Sequence, residues 1–167
     1  LLTDIWAELE QVFGLQVTDM YPGIKVHGLD HQSQKVILDY IFENASEIDS
    51  MLEDIDTGME LYPTTTESLI RQMVADDVDG MVWVGVKMDG LTLPSLGLFT
   101  PDSSSLSIHY IMGMWKPIEL IGLMEFLRWI HDLGDHLQIR MEEETAPAIM
   151  CKQFDKTWQT YLKDTGC

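Results

Sequence analysis

Apolar positions fall into two periodicities along this chain. Leu2, Ile5, Trp6, Leu9, Val12 and Phe13 recur every three or four residues, so residues 3–13 are predicted to form an amphipathic helix closed by Gly14. The same period returns in Val36, Ile37, Tyr40 and Ile41 behind an Asp30 cap, and in Ile48, Met51, Leu52 and Ile55 behind Ser46. A further helix is predicted from Leu69, Ile70, Met73 and Val74, with Thr64 and Glu67 spaced as a capping box. Pro117 suits a first helical position, and the apolar residues from Ile118 to Ile130 cover more than half of a helical cylinder, so that helix must be buried on most of its surface. Gly134 is read as its left-handed stop. Residues 145–154 carry a last short helix, with Ala146, Ile149 and Met150 inward.

Between these stretches the period shortens. Residues 24–29, 81–88, 91–99, 106–112, 136–141 and 157–162 are rich in β-formers and read as strands. Asp89-Gly90 suits the positive φ angles of a tight hairpin, and Pro94, which cannot donate to a ladder, marks a bulge or an unpaired edge. Three short-linked strands from Met81 to Met112 make an antiparallel meander. The strand, helix, strand unit from Leu106 to Met141 then predicts a parallel crossover. The fold class expected is therefore α/β of the α+β type, a mixed sheet with a meander, a parallel pair and flanking helices, in a single domain over 1–167.

Composition narrows the function classes. With 28 acidic residues against 10 basic ones the net charge is −18, which repels nucleic-acid phosphate and anionic lipid and favours a basic protein partner. No apolar run approaches the roughly 20 residues that span a bilayer. The residues from Leu1 to Trp6 lack the basic flank of a signal peptide, and the two cysteines, Cys151 and Cys167, have no CxxC spacing, so a reducing, cytoplasmic setting is expected. Asp54–Glu60 and Asp76–Gly80 are rich in acids but lack the order of an EF-hand loop, and no metal site is predicted. Trp83, Trp129 and Trp158 suit buried packing, while Trp6 and Trp115 suit shallower positions.

The element order from Ile24 to Leu162 resembles that of the GNAT superfamily of N-acyltransferases, with residues 1–23 as an extra N-terminal helix. The local cues are Ile24–Asp30 as first strand and helix start, Gly85 and Asp89-Gly90 in the early hairpin, Ile130–Gly134 at the end of the long helix, and Lys152–Phe154 before the late strands. The resemblance implies transfer of an acyl group from acetyl-CoA or another acyl-CoA to an amine. The cofactor would lie on the turn into the long helix, at Met112, Gly113, Met114, Trp115, Lys116 and Glu119, where a helix N-terminus cradles anions. That turn departs from the family's glycine-rich loop: only Gly113, Lys116 and Gly122 match in type, and Pro117 removes an N–H. His109 and Tyr110 on one strand and Glu142 after the next are the candidate catalytic acids and bases.

A second reading needs no cofactor. Glu47, Asp49, Glu53, Asp54, Asp56 and Glu60 form a run of six acids without a base. Such a surface suits a non-catalytic protein-binding module, an immunity protein, inhibitor or nucleic-acid mimic, that docks a basic partner through charge complementarity. Oligomeric state is not legible.

Overall fold

The computed structural model describes residues 2–15 and 20–166. Cys167, the side chains of Leu2 and Thr3, and the Leu1 end of the expected helix lie outside the described residues. The elements are α1 (Leu2–Phe13), β1 (Gly23–His27), α2 (His31–Glu43), β2 (Ala45–Asp54), β3 (Glu60–Leu61) and α3 (Thr66–Met73), then β4 (Val78–Met88), β5 (Leu91–Thr92), β6 (Leu96–Phe99), β7 (Ser105–Tyr110), α4 (Pro117–His131), β8 (Gln138–Met141) and α5 (Ala148–Asp164). Several start where their side chains dictate. Asp30 accepts from the Ser33 N–H at the head of α2, and Thr65, one residue beyond the expected cap, does the same for Ser68 at the head of α3.

The strands form one eight-stranded sheet in the order β3-β2-β4-β6-β7-β1-β8, with β5 beside β4. Every pairing is antiparallel. One row shows how registration works: Val82 stands opposite Leu98, Leu98 opposite Ile108, Ile108 opposite Ile24, and Ile24 opposite Met141. All five are buried, as are Val84, Val86, Leu96, Leu106, Tyr110, Val26 and Ile139 on the same face. Each fully buried aliphatic of this kind contributes about 1.5–3 kcal/mol. A slip of one residue would turn the whole set to the other face. The bulge expected at Pro94 is present: β5 and β6 pair with β4 in registers that differ by one residue across Leu93–Ser95.

The helices lie over this apolar face. Phe13 of α1 stacks on Tyr110 with ring centroids 4.3 Å apart, and meets Trp115 and Phe154 at its other edges. Ile37, Leu38, Ile41 and Phe42 of α2 and Leu69, Ile70 and Met73 of α3 complete the layer towards β4, while α4 and α5 bury Leu123, Leu127, Phe154 and Trp158.

Three expectations are corrected. The strands β7 and β8 joined by α4 do not pair: β1 lies between them, antiparallel to both, so no parallel crossover pair exists among the described residues. The sheet is antiparallel rather than mixed, and the resemblance to N-acyltransferases, which depends on two neighbouring parallel strands splaying apart, is overturned by this topology. Residues 46–54 lie in strand β2 and Ile55 in the turn after it, not in a helix. Of the helix-spaced apolar set only Leu52 is buried, and pairing with the long strand β4 over residues 45–54 outweighs local periodicity. Residues 157–162 belong to α5, where Phe154, Thr157, Trp158, Tyr161 and Leu162 make a buried helical stripe. Smaller differences follow. Gly134 is not left-handed, because α4 already ends at Asp132, whose N–H bonds to the Arg128 carbonyl, and Ile149 points to solvent at the first turn of α5.

At Gly80 the backbone of β2 leaves no room for a side chain on β4. The Gly80 φ is +128°, and a Cβ there would lie 1.9 Å from the Met51 carbonyl oxygen. Gly80→Ala is expected to lower stability by at least about 1–3 kcal/mol, read as a shift in the urea midpoint; an unchanged midpoint would contradict the close β2–β4 contact. Asp155 of α5 accepts from the Met141 N–H at 3.3 Å, and burial raises its carboxyl above the ordinary range. The folded state then holds that proton more tightly than the unfolded chain, so ionised Asp155 disfavours folding above its folded pKa and the penalty fades as pH falls through the ordinary aspartate range. Asp155→Asn, which keeps the acceptor, is expected to melt higher than the parent near neutral pH, with the difference gone at about pH 3.

Candidate functional site

The face of the sheet opposite the helices carries the odd-numbered residues of β1, β2, β4, β6 and β7. Across it run Asp49, Trp83, Gly97, His109 and Gly23, each standing opposite the next. The glycines make this row possible. A Cβ on Gly97 would lie 2.4 Å from the Met81 sulfur and 3.1 Å from the Trp83 ring, and one on Gly23 would lie 2.6 Å from a Glu142 carboxylate oxygen. Large side chains therefore lie flat on bare backbone. Tyr21 meets Trp83 edge-on with centroids 5.7 Å apart.

Two regions divide this face. At the β1–β7 end, His109 and Glu142 come together across β1. Ser107 Oγ donates to Glu142 Oε1, the His109 Nε2 and Glu142 Oε2 atoms are 3.9 Å apart, and His109 Nδ1 lies 3.0 Å from the Tyr21 carbonyl. Because that carbonyl only accepts, Nδ1 carries the proton. Both side chains are 9% exposed, at the floor of a groove of about 430 Å³ that Lys25, Asp79, Phe99 and Thr145 also line. Gly23 N–H donates to Thr145 Oγ1 and Glu142 N–H to the Gly23 carbonyl. The cluster thus ties the segment before β1 to the segment after β8. Ser107 is bonded to the Glu142 carboxylate and not to the His109 imidazole.

The other sequence candidates lie elsewhere. Tyr110 faces the helical layer, where it donates to the Val12 carbonyl and burial pushes its phenol well above the ordinary tyrosine range. In the turn before α4, Met112 is buried, and Gly113, with φ +79°, donates its N–H to the Phe13 carbonyl. Met114 is exposed, and Trp115 is buried against Phe13 and Tyr110 with its indole N–H on the Ile111 carbonyl. Glu119 accepts from the Lys116 N–H at 2.7 Å, so the start of α4 already holds a carboxylate of the chain itself. Trp115, expected to be shallow, is a core residue whose partner Phe13 lies about a hundred positions earlier.

The second region is the β2–β4 end, where the acid run read from the sequence is joined by Tyr21, Met51, Met81 and Trp83, which the sequence reading did not place there. Met51 is 56% and Tyr21 51% exposed, and Met81 and Trp83 are half-buried. Around them on the same face stand Glu47, Asp49, Glu53 and Asp79, with Glu47 opposite Gly85, Asp49 opposite Trp83 and Glu53 opposite Asp79. Between residues 36 and 86 there are 12 acids and one base, Arg71, so −11 of the net −18 belongs to this third of the chain. Of the cations of the open face, Lys25 and Arg140 sit across from one another on β1 and β8, at the far end, and Lys87 stands on β4 two residues beyond Gly85. The β2–β3 turn is built by Asp54, which accepts from the Thr57 N–H and hydroxyl; these bonds hold its carboxyl below the ordinary range. Trp83, expected in the core, was legible as an aromatic in a strand but not as a residue of the uncovered face.

Among the described residues no group of three or more His, Cys, Asp or Glu side chains is placed to hold a metal ion, and no helix is long and apolar enough to cross a membrane. A larger cavity of about 630 Å³ lies between α4 and the β4–β5 turn, beside Tyr40, Phe126 and Trp129 and the Arg128–Glu125 pair.

No family model matches the chain, and no curated protein matches it. Among solved structures it is similar to a chain in the crystal structure of the toxic C-terminal tip of CdiA from Pseudomonas aeruginosa in complex with immune protein, at 15% identity over 74% of this chain and 88% of that one, with a TM-score of 0.41.

The latch role of Glu142 makes a prediction. Glu142→Ala leaves Ser107 without its acceptor and is expected to cost about 1–3 kcal/mol, whereas Glu142→Gln, which still accepts, is expected to cost less than half as much. Equal urea midpoints for the alanine variant and the parent would contradict the role.

Proposed function

We propose that this chain is a non-catalytic acidic module that docks a basic protein on the β2–β4 end of its open sheet face. The reading is of the same kind as the toxin and immune protein complex named above, but it is carried by the charge and surface of this chain. One observation supports it most: an uncovered group of Tyr21, Trp83, Met81 and Met51 rimmed by Glu47, Asp49, Glu53 and Asp79, with no base among them. Aromatic and methionine side chains supply contact area at an interface centre, and charged residues at its rim set approach rate and partner choice. A cationic groove, such as a nuclease uses for phosphate, offers the complementary charge. Occupying it would block the nuclease without any chemistry on the part of the inhibitor. The Ser107–Glu142–His109 cluster holds the neighbouring segments in place and so supports Tyr21, which meets Trp83 edge-on.

Titration calorimetry against a panel of basic nuclease domains, of pI above about 9, tests this reading. A member of the panel is expected to bind at about 0.05 M salt and to weaken at least tenfold at about 0.3 M, as screening shortens the reach of the rim charges. Glu47→Lys, Asp49→Lys and Glu53→Lys together are expected to abolish that binding. Glu10→Lys, Asp135→Lys and Asp164→Lys, which change net charge equally on the helical side, are expected to leave most of it. Equal losses from both triple variants would mean that only net charge matters and would overturn the assigned face.

A further inference from the structure

The outer edge of β2 is open where its acids are densest. β3 covers β2 only at Leu52 and Glu53, and Tyr62-Pro63 then ends it, since proline has no N–H with which to continue a ladder. No strand pairs with Ala45–Met51 on that side among the described residues. The direction of the backbone groups there follows from their neighbours. Asp54 N–H donates to the Met59 carbonyl on the β3 side, while Ile55 N–H donates to the Asp77 carbonyl on the β4 side. Alternation along the strand therefore points the N–H and C=O of Ile48 and Ser50 outward, with nothing to pair them. At the same place Ser50 Oγ is shielded from solvent and has no hydrogen-bond partner, and a groove of about 440 Å³ runs past Ser50, Met51 and Tyr62.

We infer that this edge is a strand-addition site, at which an extended segment of the basic partner pairs with residues 45–51 and prolongs the sheet. The inference rests on the docking reading above and specifies its mode. Side-chain alternation dictates the sequence of the segment. On the open face it meets Glu47 and Asp49 and so carries lysine or arginine at every second position; on the other face it meets Ile48, 46% exposed, and Ser50, and so is apolar at the positions between. A second copy of this chain does not fit. Antiparallel pairing of two β2 strands along the open edge, centred on Ile48, would set Glu47 of each against Asp49 of the other, and like charges across a ladder repel. The acids on this edge thus discourage self-association and select a cationic strand.

The test uses a synthetic peptide of about seven alternating lysine and valine residues, a common strand length, with amide exchange followed by NMR. On saturation the Ile48 and Ser50 amides are expected to exchange at least tenfold more slowly. Ser50→Pro removes an outward donor while leaving the β4 ladder, and is expected to weaken binding roughly tenfold, as the loss of one or two backbone hydrogen bonds would. A peptide N-methylated at alternate residues is expected to bind the unaltered protein as weakly, so the result does not depend on the proline variant folding. Peptide binding with unchanged exchange at Ile48 and Ser50, and equal affinity for Ser50→Pro, overturns strand addition while charge-guided docking stands. Absence of binding both to the peptide and to the basic nuclease panel overturns strand addition and docking together.

Discussion

One-sided burial of the sheet is the constraint on which the other features depend. The row from Val82 through Leu98, Ile108 and Ile24 to Met141 is continuous only because each strand is antiparallel to the next and in one register. The helical layer seals that row, with Phe13 wedged between Tyr110, Trp115 and Phe154. An antiparallel sheet can leave its second face in water, whereas a parallel sheet is covered on both. The topology that removes the acyltransferase resemblance therefore also creates the surface on which the proposed function rests.

That second face is not an ordinary polar exterior. Gly97 and Gly23 let Met81, Trp83 and the Glu142 carboxylate settle onto the backbone, so the face is apolar at its middle and acidic along β2, with Lys25 and Arg140 set across from one another on β1 and β8. Such a separation of charge orients an approaching partner as well as attracting it. The polar cluster beside Tyr21 is held by two bonds within the chain: Ser107 serves Glu142, and the His109 N–H serves the Tyr21 carbonyl.

The long strand β4 also explains β2. Residues 46–55 have the spacing of a helix, yet they lie on an edge where burial scarcely acts and the hydrogen bonds of β4 are the main attraction. A strand of this composition survives at an edge because its acids blunt further pairing with like strands. Local preference and tertiary demand disagree here more than anywhere else in the chain, and this is the segment where the proposed docking falls.

Much of the fold was legible beforehand. The helices α1, α2, α3 and α4 follow from apolar residues spaced three and four apart, Asp30 and Pro117 sit where helix starts require them, Asp89-Gly90 turns the hairpin and Pro94 marks its bulge, because each signal is local and acts within a few residues. The acid run was equally plain, since charge needs no folding to be counted. Strand order was not legible: nothing within Leu106–Met141 reveals that β1, some eighty residues earlier, inserts between its two strands. Nor could local pattern separate His109 from Tyr110, adjacent residues sent to opposite faces of the sheet, or show that Trp83 lies uncovered while Trp115 is sealed. Which face of a strand meets the core depends on where the helices come to rest, and that is settled only when distant segments pack.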